Sequence, residues 1–111
     1  MDDSYTLADP VTKETLPARA KGVVLLVEDE APVRAFAVRA LQLRGYTVLE
    51  ADGGERALEI LQDPDQLVDI FVTDVIMPGL DGPAWVRRAL KSRPGTKVIF
   101  MSGYACNFLD D

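Results

Sequence analysis

The feature of this sequence that most restricts its fold is a strict alternation of short apolar runs with stretches of helical spacing. The apolar runs, such as VVLLV at 23–27, have no regular polar positions, which is typical of strands buried on both faces. Strands that alternate with helices build a parallel sheet with helices on both sides. The predicted strands span 23–27, 47–51, 68–74 and 97–102, and the predicted helices span 32–44, 54–62 and 83–93. The predicted fold class is therefore α/β, with a doubly wound parallel sheet.

The first 22 residues lack this periodicity. They mix charged residues with two prolines, and they end on a glycine where the first apolar run begins. A chain of 111 residues has room for one hydrophobic core and little more. We interpret 1–22 as a linker or flexible tail and 23–111 as one folded domain.

The charge and the residue counts exclude several classes of function. Twelve basic and eighteen acidic residues give a net charge of −6, which repels nucleic acid and anionic membrane surfaces. The sequence has no histidine, so it cannot contain a Ser-His-Asp triad, a histidine zinc site or a phosphohistidine. Cys106 is the single cysteine, so the chain cannot form an intramolecular disulfide. No apolar run is long enough to span a bilayer. We expect a cytoplasmic segment that binds neither nucleic acid nor membrane.

Carboxylates and a hydroxyl stand where three of the predicted strands end. Glu28 and Asp29 follow the first strand, Asp74 ends the third, and Ser102 ends the fourth. Ligands of open parallel sheets bind beyond the carboxyl ends of the strands, so neighbouring first and third strands would bring the three acids together. Taken singly, Glu28 and Asp29 are explained as helix caps and Asp74 as a turn residue. Taken together they predict a site for a hard cation, Mg²⁺ before Ca²⁺.

Local patterns also predict how two of the helices begin. Asp52 and Glu55 have the spacing of a capping box, so we expect Asp52 to cap the second helix and Glu55 to bond back to its backbone. Asp81, followed by Pro83, predicts the start of the third helix.

Three segments of the chain, in this order, resemble the receiver domains of bacterial response regulators and hybrid histidine kinases. They are VVLLVEDEAPVR around the first strand, VTDVIMPGLDG around the third, and KVIFMSGYA around the fourth. The resemblance covers residues 22–108. The segments DGPAWV and MSGYA are similar in sequence to the C-terminal receiver of a CckA-type hybrid histidine kinase. It implies a flavodoxin-like topology with strand order 2-1-3-4, and it identifies 23–111 as a receiver domain.

The resemblance also implies a role for each candidate site residue. Asp74 corresponds to the phosphoacceptor, which takes a phosphoryl group from a phosphohistidine on a histidine kinase or a histidine phosphotransfer protein. Glu28 and Asp29 correspond to the acids that hold Mg²⁺ together with Asp74 and the backbone carbonyl of Ile76. Ser102 corresponds to the hydroxyl that bonds the phosphoryl group and transmits phosphorylation to the surface. A module of this kind is not an enzyme on its own.

Two departures from the family leave other functions open. The fifth strand, the lysine at its end and the last helix have no counterpart before Asp111, so we expect an incomplete receiver. Without that lysine, the alternative is a pseudo-receiver that binds a partner but is not phosphorylated. A Mg²⁺-dependent phosphohydrolase is a further alternative, although Ile76 stands where its second acid is required.

The same departures predict self-association. The first helix has an apolar arc wider than one sheet face needs, and we expect part of its surface at Phe36, Val38, Leu41 and Leu43 to be exposed. The fourth strand becomes an edge strand with unpaired backbone groups. We therefore expect a homodimer through the fourth strand or the first helix.

Overall fold

A computed structural model describes residues 21–101 of the chain. Strands and helices alternate as predicted, and every predicted element is present with ends that differ by two residues at most. In chain order the elements are β1 (Gly22–Val27), α1 (Ala31–Leu43), β2 (Tyr46–Ala51), α2 (Gly54–Leu61), β3 (Ile70–Asp74), α3 (Gly82–Ser92) and β4 (Lys97–Met101).

The four strands form one parallel sheet in the order β2-β1-β3-β4. This order confirms the predicted fold class and strand order. β1 lies between β2 and β3, with Leu25 opposite Leu49 on one side and Phe71 on the other. The carboxyl ends of β1 and β3 are therefore neighbours at one edge of the sheet.

The hydrophobic core has two layers because successive side chains of a strand point to opposite faces of the sheet. One layer joins the sheet to α2 and α3, and its most deeply buried members are Leu25, Val27, Ala57, Phe71 and Trp85. The other layer joins the sheet to α1, and its buried members are Val24, Leu26, Val72 and Met101. Helices on both faces make the sheet doubly wound.

Helix α1 packs on the sheet less completely than the other two helices, since none of its residues is fully buried. Val38 and Leu41 pack against the apolar layer on that face of the sheet. Phe36 and Leu43 are 77% and 74% exposed, as the apolar arc predicts. No helix within residues 21–101 is long and apolar enough to cross a membrane.

Among the boundaries that differ from prediction are the amino ends of β1 and β3. Gly22, placed in the tail by the sequence pattern, is the first residue of β1 and pairs with Tyr46. β3 begins at Ile70 rather than Val68, because the Asp69 carboxylate accepts the Val23 N–H at 2.8 Å in place of a backbone carbonyl. The rest of the predicted tail, 1–20, and the segment 102–111 lie outside the described residues.

Candidate functional site

The three acids predicted to share a site are brought together at the carboxyl edge of the sheet. Glu28 and Asp29 directly follow β1, and Asp74 is the last residue of β3. One carboxylate oxygen of each residue lies within 4.8 Å of the others. Such a set of hard oxygen donors fits a divalent cation of the Mg²⁺ class.

Glu28 is the most buried member of this cluster, with 4% of its surface exposed. Its Oε2 accepts the backbone N–H of Glu30 at 2.9 Å. Burial raises the pKa of Glu28 above its ordinary value, and the charges of Asp74 and Asp29 raise it further, against the opposing effect of the Glu30 amide. The cluster therefore favours a bound cation or a bound proton over three free carboxylates.

Asp74 is held by hydrogen bonds from its two neighbours in the chain, Thr73 and Val75. Its Oδ1 accepts the N–H of Val75 at 2.9 Å, and its carbonyl oxygen accepts the hydroxyl of Thr73 at 2.9 Å. A Cβ at position 82 would lie 2.2 Å from the Asp74 carbonyl oxygen, so only glycine fits where α3 begins. The end of β3 is thus packed tightly against the first turn of α3.

The loop of residues 75–81, between β3 and α3, is fastened to α2 by Glu55. Glu55 Oε2 accepts the N–H of Leu80 at 3.0 Å. The predicted capping box is therefore wrong: Gly53 is the N-cap of α2, no side chain caps it, and Glu55 bonds to the loop instead. The prediction for α3 is confirmed, because the Asp81 side chain accepts the N–H of Ala84 at 3.0 Å.

Arg34 fastens the opposite side of the site. Its Nη1 donates to the carbonyl oxygen of Glu28 at 2.9 Å, and its Nε donates to Glu50 Oε1 at 3.3 Å. One guanidinium thus joins the first turn of α1 to the residue after β1 and to β2. This contact holds the backbone from which Glu28 and Asp29 project.

The remaining predicted site residues are placed as follows. Ile76 lies two residues after Asp74, in the loop that follows β3, with its side chain 84% exposed. The predicted metal ligand is the backbone carbonyl oxygen of Ile76 and not its side chain. Ser102 lies outside the described residues, one position after the end of β4.

Sequence reasoning missed two side chains that shape the site, Arg34 and Thr73, and assigned the wrong partner to a third, Glu55. Arg34 contacts Glu28 and Glu50, and Glu55 contacts the Leu80 amide. These contacts depend on tertiary geometry, and no local sequence pattern signals them. Thr73 had a weak signal, as a hydroxyl within the otherwise apolar part of β3. Trp85 packs on Phe71 with ring centroids 5.0 Å apart, and its indole Nε1 also donates a hydrogen bond to Thr73 Oγ1.

The chain resembles one family of signalling domains in sequence. The family model of the response regulator receiver domain matches residues 24–109. Sensor kinase CckA of Brucella abortus (strain 2308) is 57% identical over 82 residues, which cover 74% of this chain and 9% of that kinase. The chain thus spans a small part of the length of this relative.

Solved structures share the same arrangement of strands and helices. The crystal structure of the receiver domain from hybrid histidine kinase CckA gives a TM-score of 0.69 at 47% identity, covering 75% of this chain and 77% of that one. The response regulator TrrA of Thermotoga maritima, crystallised in complex with Mg²⁺-BeF, gives 0.68 at 28% identity and covers 81% and 76%.

Proposed function

Because the chain belongs to the response regulator receiver domain family, we propose that it is a phosphoacceptor module of a two-component phosphorelay. In this function Asp74 takes a phosphoryl group from a phosphohistidine of a histidine kinase or a histidine phosphotransfer protein. The observation that supports it most directly is the convergence of Glu28, Asp29 and Asp74, with carboxylate oxygens within 4.8 Å. The donor histidine lies outside this sequence, which contains none.

The proposed reaction moves phosphorus from nitrogen to oxygen. A carboxylate oxygen of Asp74 attacks the phosphorus, and an O–P bond forms as the P–N bond breaks. The electron pair of the P–N bond leaves with the imidazole, which takes a proton from solvent where its charge requires one. The products are an acyl phosphate on Asp74 and an unmodified histidine on the donor.

The residues around Asp74 fit a Mg²⁺ ion. Glu28, Asp29, Asp74 and the backbone carbonyl of Ile76 would hold it, and burial, with a smaller contribution from the charges of Asp74 and Asp29, raises the pKa of Glu28. When bound, the ion neutralises negative charge on the carboxylates and on the phosphoryl oxygens. Arg34 holds the Glu28 backbone and the Glu30 amide holds its side chain, so this ligand is oriented in advance.

The proposal extends to Ser102 and to the protein that carries the domain. The Ser102 hydroxyl would donate a hydrogen bond to the phosphoryl group and move towards it on phosphorylation. The 57% identity with sensor kinase CckA supports a cytoplasmic receiver of a CckA-type hybrid histidine kinase. In that context the domain accepts phosphate and has no kinase activity of its own.

The test is phosphorylation of the purified chain by acetyl phosphate with Mg²⁺, followed by intact-mass spectrometry. The parent chain should gain one phosphoryl group, and Asp74→Asn should gain none because the amide is not a nucleophile. Asp52→Asn is the matched control, because Asp52 is an exposed acid just after β2, at the same edge of the sheet, and should not alter labelling.

Two outcomes contradict the proposal. Unchanged labelling of Asp74→Asn would show that another residue accepts the phosphoryl group. A folded parent chain that takes no label would instead favour an interaction module that is not phosphorylated.

A further inference from the structure

Thr73 is a buried polar residue that the proposed metal site does not use. Its exposed fraction is 0%, and in the described part of the chain it shares the class of buried polar residues with Glu28. A buried hydroxyl is costly unless it is hydrogen-bonded, and a valine would fill the same volume at less cost. Packing alone therefore does not explain why a hydroxyl side chain stands at position 73.

The hydroxyl of Thr73 both accepts and donates a hydrogen bond. The indole Nε1 of Trp85, which is also 0% exposed, donates to Thr73 Oγ1 at 3.0 Å. Thr73 Oγ1 in turn donates to the carbonyl oxygen of Asp74 at 2.9 Å. Because the indole occupies the acceptor side of the hydroxyl, the hydroxyl proton points to Asp74.

This chain of hydrogen bonds reaches the carboxylate of Asp74 through one peptide group. The carbonyl of Asp74 and the N–H of Val75 belong to the same planar unit, so they turn together. The carbonyl end is held by Thr73, and the N–H end donates to Asp74 Oδ1 at 2.9 Å. A rotation of this peptide would withdraw the N–H from Oδ1 and release the carboxylate.

We propose that Thr73 is a positioning residue for the phosphoacceptor: its hydroxyl, oriented by Trp85, fixes the peptide after Asp74 and thereby the direction of the Asp74 carboxylate. This inference rests on the proposed function of Asp74. Thr73 is fully buried and is not among the residues proposed to hold the metal or the phosphoryl group, so it acts through the backbone. Because Trp85 belongs to α3, its hydrogen bond to Thr73 also connects the packing of α3 on the sheet with the geometry of the site.

The first test compares the rates at which variants of the full chain are phosphorylated by acetyl phosphate with Mg²⁺. Thr73→Val keeps the shape and removes the hydroxyl, and its rate should fall about three- to tenfold, the equivalent of one net hydrogen bond. Thr73→Ser keeps the hydroxyl and should restore most of the rate. Ala89→Gly is the stability control, since it weakens the same core layer without touching this chain of hydrogen bonds.

The second test needs no phosphorylation. The amide of Val75, assigned by NMR in the unphosphorylated chain, should exchange with solvent faster in Thr73→Val than in the parent or in Thr73→Ser. A Val75 amide unchanged in Thr73→Val would overturn the inference, even if Asp74 is phosphorylated normally. A slowed rate in Ala89→Gly equal to that in Thr73→Val would also overturn it, by reducing the effect to stability. A parent chain that takes no label would contradict the function of Asp74, whereas the Val75 amide would still decide whether Thr73 holds that peptide.

Discussion

The titration of Glu28 affects the stability of the fold. Its pKa in the folded chain lies above the ordinary value of 4.5, because burial and then the neighbouring carboxylates outweigh the Glu30 amide. A raised folded pKa contributes stability that is complete below the unfolded pKa and is lost as the pH rises through the folded pKa. Above the folded pKa, and without metal, the ionised Glu28 carboxylate therefore weakens the fold.

We predict that Glu28→Gln, measured by thermal denaturation in EDTA at pH 7, melts a few degrees higher than the parent chain. The gain should shrink as the pH falls towards 4.5, where the parent glutamate is protonated too. With millimolar Mg²⁺ the order should reverse, since the ion stabilises by mass action only a site that binds it. A lower melting temperature for Glu28→Gln in EDTA would mean that the anionic hydrogen bond to Glu30 is the stronger effect.

The hydrogen bond between Glu55 and Leu80 shows how one helix steadies a functional loop. Gly79, beside Leu80, has φ +74°, and a Cβ there would lie 2.7 Å from Glu55 Oε2. The loop therefore passes α2 in a conformation that glycine favours, with the carboxylate closing on it. Ile76, whose carbonyl is proposed to bind the metal, lies in the same loop.

Loss of this contact should be measurable. We predict that Glu55→Ala lowers the free energy of unfolding by about 1 kcal/mol, whereas Glu55→Gln, which keeps an acceptor for the Leu80 amide, loses about half of that or less. Glu59→Ala is the control, because within residues 21–101 Glu59 forms an ion pair with Arg56 alone, on the exposed face of α2, and its loss should cost about 0.5 kcal/mol or less. Urea denaturation checks all three, and equal losses for Glu55→Ala and Glu59→Ala would contradict the role of the loop contact.

Elements were more predictable from the sequence than the contacts between them. The strands were evident because runs such as VVLLV have a local cause, and Glu28, Asp29 and Asp74 were found because strand ends can be read locally. The strand order followed from the family resemblance alone. Glu55 shows the limit: its spacing from Asp52 favours a capping box, but the Leu80 amide, 25 residues away in sequence, takes the carboxylate. Thr73 and Arg34 escaped for the same reason, since their partners are set by tertiary structure.

At the scale of the whole molecule, the exposed face of α1 bears on self-association. Phe36 and Leu43 are seven residues apart, so they lie on the same side of the helix, and both are largely exposed. Apolar side chains grouped in this way favour contact with a second copy. Association through α1 or β4 stays a prediction, and in the described residues β4 pairs with β3 alone.

We predict that a polypeptide of these 111 residues self-associates at high concentration and that Phe36→Gln weakens the association without unfolding the chain. Arg39→Gln is the control, as an exposed substitution in the same helix. Sedimentation velocity over a range of concentrations measures the effect. A parent chain that stays monomeric throughout contradicts the prediction, and dimers indifferent to Phe36→Gln would exclude this face of α1.

The central place of β1 in the sheet has a consequence for the order in which a ribosome delivers the chain. β1 is the first of the described strands to be made, yet its two hydrogen-bonding neighbours are β2 and β3, and β3 ends only at Asp74. During synthesis β1 can pair with β2 on one side, but its other side has no strand partner until β3 has left the exit tunnel. Enclosure of the core cannot then proceed residue by residue from the amino end. It requires β3, which brings Asp74 beside Glu28 and Asp29, and then α3 and β4, which supply Trp85 and Met101 to the two core layers.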